Sequence, residues 1–210
     1  MYPNLPCRGN NAGGEEMSGS FDILIVGIGG QGTILASNIL GEACLAEGRH
    51  VKGAETHGMA QRGGSVESHI RIDGLFGPLI PPGQADLLIS FDILEALRYS
   101  HYLKKGGKMI VNNHLVLPTS VFTQNLPAPS QDEVIIALKE HNLCLLDADK
   151  IAEEAGSLLS QNVVMLGAAS LSIPLKPESL VNAVKHLVPK KTVDINVKAF
   201  ELGRLYGGKC

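Results

Sequence analysis

The chain has 210 residues, of which 44% are hydrophobic and 19% are charged. A chain of this size suits one compact domain with a sizeable core, and a two-domain enzyme is not expected. The formal net charge of −3, with no basic run longer than two residues, argues against a broad nucleic-acid-binding surface. No apolar run approaches the roughly 18 residues that a membrane-spanning helix requires.

Residues 1–20 are rich in Gly, Pro, Asn and Ser and lack the apolar segment of a signal peptide. Such a composition buries too little apolar surface to order the chain, so we expect a disordered tail. Met17 is an alternative start of translation, and the folded domain is expected to occupy residues 21–210. Because nothing in the sequence suggests export, we expect a cytoplasmic protein.

The four cysteines lie far apart in the sequence, and none belongs to a C-x-x-C pair. Zinc and iron–sulfur centres are commonly held by closely spaced cysteines, so no metal centre is expected in this chain. Two disulfides would be compatible with four cysteines, but a chain with a sizeable core does not need them. We therefore expect free thiols in a reducing cytoplasm at Cys7, Cys44, Cys144 and Cys210.

A glycine-rich turn follows the first predicted strand. The continuous apolar run Ile23–Val26 is typical of a parallel strand buried on both faces. A G-x-G-x-x-G motif lies between this strand and a predicted helix over residues 30–47, where glycines permit a tight turn and a close approach to a ligand. The free N–H groups at the helix start favour an anion. The candidate cofactor-binding residues are Gly27, Gly29, Gly30, Gln31 and Gly32.

A second predicted strand, residues 50–54, leads into a polar segment without apolar periodicity. Arg62 suits a bidentate contact with a carboxylate or phosphate, and His57 suits a general acid or base, so these two residues are the catalytic candidates. A solvated loop would explain the same composition. The candidate residues of a loop that faces an active site or a partner are Glu55, Thr56, His57, Gly58, Met59, Gln61, Arg62, Gly63, Gly64 and Ser65.

The remaining sequence alternates strands and helices and then becomes helical. The alternation in Ser65–Ile72 is typical of a strand with one wet or partner-facing side. Further strands are predicted at residues 86–90, 108–112 and 143–146, and helices at residues 93–103, 131–141, 150–155, 162–172, 178–187 and 194–206. We therefore predict an α/β fold: a three-layer Rossmann-like domain with a mostly parallel sheet and a helical C-terminal part.

Several single positions carry separate predictions. Residues 73–84 are rich in Gly and Pro and are expected to form a surface connection. Gly106 and Gly107 are expected to end the unit before the strand at residues 108–112. Asp149 is expected to cap a helix. The histidines that we expect to be isolated are His114, His141 and His186.

Two interpretations of the glycine motif stay open at this point. In the first, the turn binds NAD(P) or a flavin, and Glu55, about 20 residues beyond the turn, binds the ribose hydroxyls. In the second, the glycines only allow the helix to pack closely on the strand. The first interpretation leaves the other polar groups of residues 55–65 unexplained, and the chain has no Tyr-x-x-x-Lys pair.

Three stretches carry a resemblance to a known family, namely residues 27–33, residues 55–66 and the motif pieces within residues 78–86. With them the chain resembles the gamma-type subunits of the 2-oxoacid:ferredoxin oxidoreductases, over residues 21–206. The wording T-H-G-M-A-Q-R-G-G at residues 56–64 points within that family to the smaller subunit of the indolepyruvate type.

The resemblance implies an enzyme that oxidatively decarboxylates aryl pyruvates with coenzyme A and reduces ferredoxin. A larger subunit is expected to hold thiamine diphosphate and [4Fe-4S] clusters, and this chain is expected to hold no cofactor. Residues 55–65 would face that subunit near the active site. The resemblance does not fix which 2-oxoacid is used, whether the glycine turn binds a ligand, or the stoichiometry of the complex.

Two other functions compete with this one. A stand-alone NAD(P)-binding sensor or dehydrogenase module would use the glycine turn and Glu55. A scaffold that only associates with copies of itself would use neither, and a homodimer of the isolated chain stays open. The main hypothesis instead predicts that the isolated chain is inactive.

Overall fold

The structure, a computed structural model, describes residues 19–57, 64–118, 121, 123–124 and 127–210. Within these residues one sheet is formed by β1 (Phe21–Ile28), β2 (Val51–His57), β3 (Ser65–Ile72), β4 (Ala85–Ser90), β5 (Leu103–Asn112) and β6 (Asn142–Leu146). The α-helices of the same residues are α1 (Thr33–Ala46), α2 (Ile93–Tyr99), α3 (Gln131–Leu138), α4 (Ala148–Ala155), α5 (Gln161–Ala169), α6 (Pro177–Leu187) and α7 (Val193–Gly207). The predicted tail falls on residues outside this description, apart from Gly19 and Ser20.

The strand order is β2-β3-β1-β4-β5-β6. β4 pairs in parallel with β1 and β5, and β6 in parallel with β5, whereas β3 is antiparallel to both of its neighbours. The connection between β2 and β3 is too short for the crossover that parallel strands require, so β3 returns beside β2 as a hairpin. The predicted α/β fold with a mostly parallel sheet is confirmed, with β3 as the one reversed strand of the described sheet.

Helices cover both faces of the sheet. Because successive side chains of a strand point to opposite faces, Ile23 and Ile25 pack in the core beneath α1 and α4–α7, while Leu24 and Val26 pack beneath α2 and α3. Burial on both faces explains why the strand sequence is continuously apolar. No helix among the described residues is long and apolar enough to cross a membrane.

The prediction that β3 has one wet or partner-facing side is wrong for its second half, whose polar side chains are buried within this chain. His69 and Arg71 belong to the polar side of this strand and are 2% and 8% exposed. Arg71 forms a bidentate ion pair with Asp22 of β1, with bonds of 2.9 and 2.8 Å, and His69 Nδ1 accepts a hydrogen bond from the backbone N–H of Ile80. At His69 and Arg71 the polar side of β3 is therefore buried and its polar groups are paired, whereas Ser65 and Glu67 on the same side are half-buried.

Two predicted boundaries are also wrong. Glu55, Thr56 and His57 were expected in the loop, but they extend β2 and pair with residues 66–68 of β3. Gly106 and Gly107 do not end a unit, because β5 begins at Leu103 and runs through them. The register between β4 and β5 shifts in this region, which lets the strand continue despite the glycines.

The expectation of free thiols is wrong for two of the cysteines. Cys144 of β6 forms a disulfide with Cys210, with the Cα atoms 5.2 Å apart. α7 crosses α5 closely enough that a Cβ at Gly203 would lie 2.0 Å from the carbonyl oxygen of Val164, and this crossing carries the chain back to β6. Cys44 is a buried free thiol, and burial raises its pKa to about 11. Cys7 lies outside the described residues.

We expect the substitution Cys210→Ser to lower the free energy of unfolding of the oxidised protein by about 3–4 kcal/mol. The physical reason is that the disulfide closes a long loop, with a sequence separation of 66, and so restricts the unfolded chain. Urea unfolding with and without a reductant measures the effect. The reductant should destabilise the unsubstituted protein and leave the variant unchanged, and an unsubstituted protein insensitive to the reductant would contradict the disulfide.

Candidate functional site

The candidate site lies at one edge of the sheet, which we call the carboxyl edge because β1, β2, β4, β5 and β6 all end there. From β1 the chain builds outward to β2 and β3 on one side and then crosses to β4 on the other. Ligands of open α/β sheets bind outside the carboxyl ends of the strands at such a switch point. The glycine turn, residues 27–32, begins in the last two residues of β1 and lies at this position.

The side chain of Gln31 fills the inside of the glycine turn. Its Oε1 accepts a 2.7 Å hydrogen bond from the N–H of Ile28, and its Nε2 lies 3.4 Å from the carbonyl oxygen of Phe91. A Cβ at Gly27 would lie 2.8 Å from Gln31 Oε1 and 3.1 Å from the Phe91 ring. Gly27 is therefore needed to make room for the protein's own side chains.

Gly32 at the start of α1 has a second structural reason to be glycine. Its φ of 84° is left-handed, and a Cβ there would lie 2.5 Å from Nδ2 of Asn162. Asn162 is itself buried at the start of α5. The glycines at positions 27 and 32 are thus explained by packing alone, and a ligand in the turn stays a prediction.

Glu55 does not lie beside the glycine turn. β3 separates β2 from β1, so the two strands are roughly 10 Å apart at the usual strand spacing. Glu55 Oε1 accepts a 3.0 Å hydrogen bond from Ser37 on α1. The acidic residue that a dinucleotide site requires is therefore displaced from the turn, and this geometry does not favour the NAD(P) interpretation.

The hairpin loop between β2 and β3 is nevertheless tied to the glycine turn. The backbone N–H of Gly29 donates a 2.9 Å hydrogen bond to the carbonyl oxygen of Gly64. At the next residue, Ser65 Oγ donates to Glu95 Oε2 and lies 3.1 Å from the hydroxyl of Tyr99, both on α2. The structure thus brings together Gly29, Gly64 and Ser65 from the two predicted candidate groups.

Several other predicted site residues lie outside this description. His57 is the last residue of β2, and its backbone lies opposite Val66 of β3. The candidates outside the described residues are Gly58, Met59, Gln61, Arg62 and Gly63.

Glu95 is a buried carboxylate at the foot of the hairpin that the sequence analysis missed. Its side chain is only 5% exposed. Burial raises the pKa of Glu95, although the hydrogen bond from Ser65 and the charge of Arg98, 3.6 Å away, both favour its ionised form. Burial likewise raises the pKa of the Tyr99 hydroxyl. The only sequence signal for this group was a glutamate in the first turn of an otherwise apolar helix.

Asp92 fixes the next segment of the carboxyl edge. Its Oδ1 accepts hydrogen bonds from the backbone N–H groups of Leu94 and Glu95 and so caps α2. Its Oδ2 accepts a 2.6 Å bond from the N–H of Val116, in the segment that follows β5. The carboxylate is fully buried, and burial raises its pKa despite these donors.

His114 and Asp149 form a pair that the sequence analysis also missed. Asp147, rather than Asp149, caps α4 by accepting from the N–H of Lys150. Asp149 is therefore free to approach His114, whose Nδ1 lies 2.8 Å from Asp149 Oδ2. His114 and His186 were both expected to be isolated, and both expectations are wrong, because His186 Nδ1 is hydrogen-bonded to Glu42 Oε1. Among the residues the structure describes, no three or more His, Cys, Asp and Glu side chains are placed to hold a metal ion.

A comparison with models of protein families identifies the family of the chain. Residues 22–206 match the family described as pyruvate ferredoxin/flavodoxin oxidoreductase. The chain therefore belongs to this family, and the predicted resemblance is confirmed. The prediction that it is a subunit of a 2-oxoacid:ferredoxin oxidoreductase is also confirmed.

Curated relatives agree with this family. The chain is 41% identical to the indolepyruvate oxidoreductase subunit IorB of Thermococcus kodakarensis, over 87% of this chain and 94% of that protein. It is 41% identical to the IorB of Archaeoglobus fulgidus, over 87% and 92%. The 2-oxoglutarate synthase subunit KorC of Methanothermobacter thermautotrophicus is more distant, at 29% identity over 87% and 93%.

Solved structures have the same fold. The gamma subunit of a keto/oxoacid ferredoxin oxidoreductase from Geobacter sulfurreducens superposes with a TM-score of 0.68 at 28% identity, covering 90% of this chain and 99% of that one. A 2-oxoglutarate:ferredoxin oxidoreductase chain from Magnetococcus marinus has the same fold, with a TM-score of 0.70 at 19% identity. The match covers 91% of this chain but 31% of that longer chain. No comparison supports the alternative of a stand-alone NAD(P)-binding module.

The raised pKa of Glu95 makes stability depend on pH. Because the folded state holds this proton more tightly than the unfolded state, the free energy of unfolding falls as the pH rises from about 4.5 through the raised pKa. The substitution Glu95→Gln keeps an acceptor for Ser65 and removes the charge, so it should flatten this part of the curve. Urea unfolding at a series of pH values measures both proteins, and equal slopes would contradict the prediction.

Proposed function

We propose that the chain is the small subunit of a 2-oxoacid:ferredoxin oxidoreductase of the indolepyruvate type. The support comes from the identities of the curated relatives, which are 41% for IorB of two organisms, 29% for KorC and 32% for the common gamma subunit of pyruvate and ketoisovalerate oxidoreductases. The lengths also agree, because the match covers 94% of the Thermococcus kodakarensis protein. The substrate is accordingly an aryl pyruvate, with indolepyruvate as the first choice.

The proposed complex divides the work between two subunits. A larger subunit holds thiamine diphosphate and [4Fe-4S] clusters, uses coenzyme A as co-substrate and passes electrons to ferredoxin. This chain holds none of these groups and completes the reaction centre by its shape and its polar residues. The complex acts in the cytoplasm.

The role proposed for the hairpin loop rests on one structural observation, the hydrogen bond that joins Gly29 to Gly64. It places the end of the hairpin loop against the glycine turn at the edge where α/β proteins bind their ligands. Because Ser65 is also held by Glu95 and Tyr99, the foot of the loop has a fixed position. The described residues on either side of the loop, His57 and Gly64, therefore both lie at the carboxyl edge.

In this proposal Arg62 of the loop and His57, the last residue of β2, act on the partner's reaction. The guanidinium of Arg62 binds the carboxylate of the 2-oxoacid or a phosphate of a cofactor with two parallel hydrogen bonds. His57 donates or accepts a proton, or fixes a polar group of the partner by a hydrogen bond. Glu55, Thr56 and Gln61 complete a polar rim, whose glycine neighbours allow backbone to approach the partner closely.

The proposal predicts that the purified chain alone catalyses no turnover. Produced together with its large subunit under anaerobic conditions, it should restore indolepyruvate- and coenzyme A-dependent reduction of a viologen dye. Either activity of the chain alone or a complex that does not use aryl pyruvates would contradict it. Calorimetry with NAD and NADH provides a second arm, in which a micromolar affinity would favour the NAD(P) module.

The substitution Arg62→Ala should lower kcat/KM of the complex for indolepyruvate by roughly ten- to a hundredfold. This is the range expected for the loss of hydrogen bonds to a charged group. The matched control is Lys139→Ala, which removes one positive charge from an exposed position at the end of α3. An Arg62→Ala complex that assembles normally and keeps the kcat/KM of the control would contradict the role of the loop.

A further inference from the structure

Among the residues that the structure describes, β2 is an outer strand of the sheet, and no other described strand pairs with its outer edge. The N–H of Asp73 donates a 2.8 Å hydrogen bond to the carbonyl oxygen of His50, which marks these two residues as a hydrogen-bonded pair of the β2–β3 ladder. Hydrogen-bonded and non-bonded pairs alternate along antiparallel strands. The N–H and C=O groups of Val51, Gly53 and Glu55 therefore point away from β3 to the outside of the sheet.

The neighbouring ladder confirms this assignment independently. On the other side of β3, the bond from Gly29 to Gly64 marks a hydrogen-bonded pair in continuation of the β1–β3 register. Even-numbered residues of β3 therefore bond to β1, and its odd-numbered residues bond to β2. The outward direction of Val51, Gly53 and Glu55 follows from both ladders.

The edge lacks the usual devices that prevent pairing with another strand. Proteins protect such edges with proline, bulges or lysine side chains that reach into solvent. β2 contains no proline, and its register with β3 runs without a shift from Val51 to His57. Its one lysine, Lys52, is turned back onto the chain, where it donates to the carbonyl oxygens of Leu75 and Phe76. The edge is thus open to an added strand.

A groove of about 770 Å³ runs beside this edge, between β2 and the helices α1 and α6. Its apolar lining includes Val51, Ile70, Leu187 and Leu45, and Leu45 is 67% exposed. The side chains of alternate residues in an added strand would enter this groove, because strand side chains repeat every second residue. The groove therefore supplies side-chain pockets next to the free main-chain groups.

The charge of the groove indicates which kind of segment would bind there. Its charged lining residues, among those the structure describes, are Glu42 and Glu55. Glu42 is hydrogen-bonded to His186 Nδ1 and Glu55 accepts a hydrogen bond from Ser37, and both carboxylates leave further lone pairs facing the groove for a cationic partner. A second copy of this chain would bring the same carboxylates to the same place, which like-charge repulsion disfavours. A segment that carries Lys or Arg between apolar residues would instead complement the groove.

We propose that the large subunit adds one extended segment, with apolar residues and at least one Lys or Arg, to the free edge of β2. Main-chain hydrogen bonds to Val51, Gly53 and Glu55 hold the segment, and its alternate side chains fill the groove between β2, α1 and α6. The inference rests on the proposed function for the identity of the partner. It adds the surface by which that partner is held, at the strand that leads into the hairpin loop.

Amide hydrogen exchange of the complex tests this interface, with an internal control in the same strand. In the free subunit, the outward amides of Val51, Gly53 and Glu55 should exchange fast, whereas the inward amides of Lys52 and Ala54 should exchange slowly. In the complex, exchange at the three outward amides should slow at least on the order of tenfold. Fast exchange there in the assembled complex would overturn the proposal, and so would concentration-dependent protection of the free chain, which would indicate a second copy.

A matched pair of substitutions gives a second, independent measurement. Gly53→Pro removes one outward donor and leaves the bonds to β3 in place. Gly53→Ala keeps the donor, and its Cβ would lie 3.4 Å from Ile70 Cδ1, an ordinary contact. The proline variant should weaken binding of the large subunit on the order of tenfold, and the alanine variant should not.

The outcomes separate this inference from the proposed function. If both variants bind as tightly as the unsubstituted subunit in an active complex, the docking strand is overturned and the proposed function stands. If the unsubstituted chain forms no complex at all, the proposed function fails first. Should Gly53→Pro lower the thermal stability of the free subunit, amide exchange of the unsubstituted complex decides alone.

Discussion

The antiparallel insertion of β3 between β1 and β2 is the constraint on which the carboxyl edge depends. A short hairpin connection forces β3 back beside β2, and β3 then pairs with β1 along its whole length. The same ladder continues into the bond from Gly29 to Gly64, so the hairpin loop meets the glycine turn. The insertion also moves β2 to the outside of the sheet and exposes its edge.

This arrangement changes the meaning of a familiar motif. In a dinucleotide-binding fold, the second strand lies beside the first and brings an acidic residue to the ribose. Here β3 occupies that place, Glu55 bonds to Ser37, and Gln31 fills the turn. The glycines are kept by the packing of Gln31, Phe91 and Asn162. The turn therefore supports the neighbouring hairpin loop through the bond from Gly29 to Gly64, whether or not it also binds a ligand.

The sequence predicted what depends on local pattern. Residues close together in the sequence were enough to predict the buried strand at Ile23–Val26 and the bounds of Ser65–Ile72. They were also enough to recognise the polar loop by its sequence motif. Features that depend on residues far apart in the sequence could not be predicted. Alternating polar residues indicate a polar face of a strand, but they do not show which other residues cover that face. The polar face of β3 is neutralised by Asp22, and Cys144 and His114 find partners on later helices or near the C-terminus. Glu95 was hidden for the same reason, since it lies on α2 and its partner Ser65 lies on β3, 30 residues earlier in the chain.

The central claim is that this subunit presents the hairpin loop to a reaction centre held by another chain. The most direct measurement is the structure of the purified complex with thiamine diphosphate bound. Our account predicts that the segment from Glu55 to Ser65 lies nearer to the cofactor than any other part of this subunit, with its polar side chains in contact with the large subunit. A complex in which that segment faces solvent, while another surface of this chain lines the cofactor pocket, would contradict it.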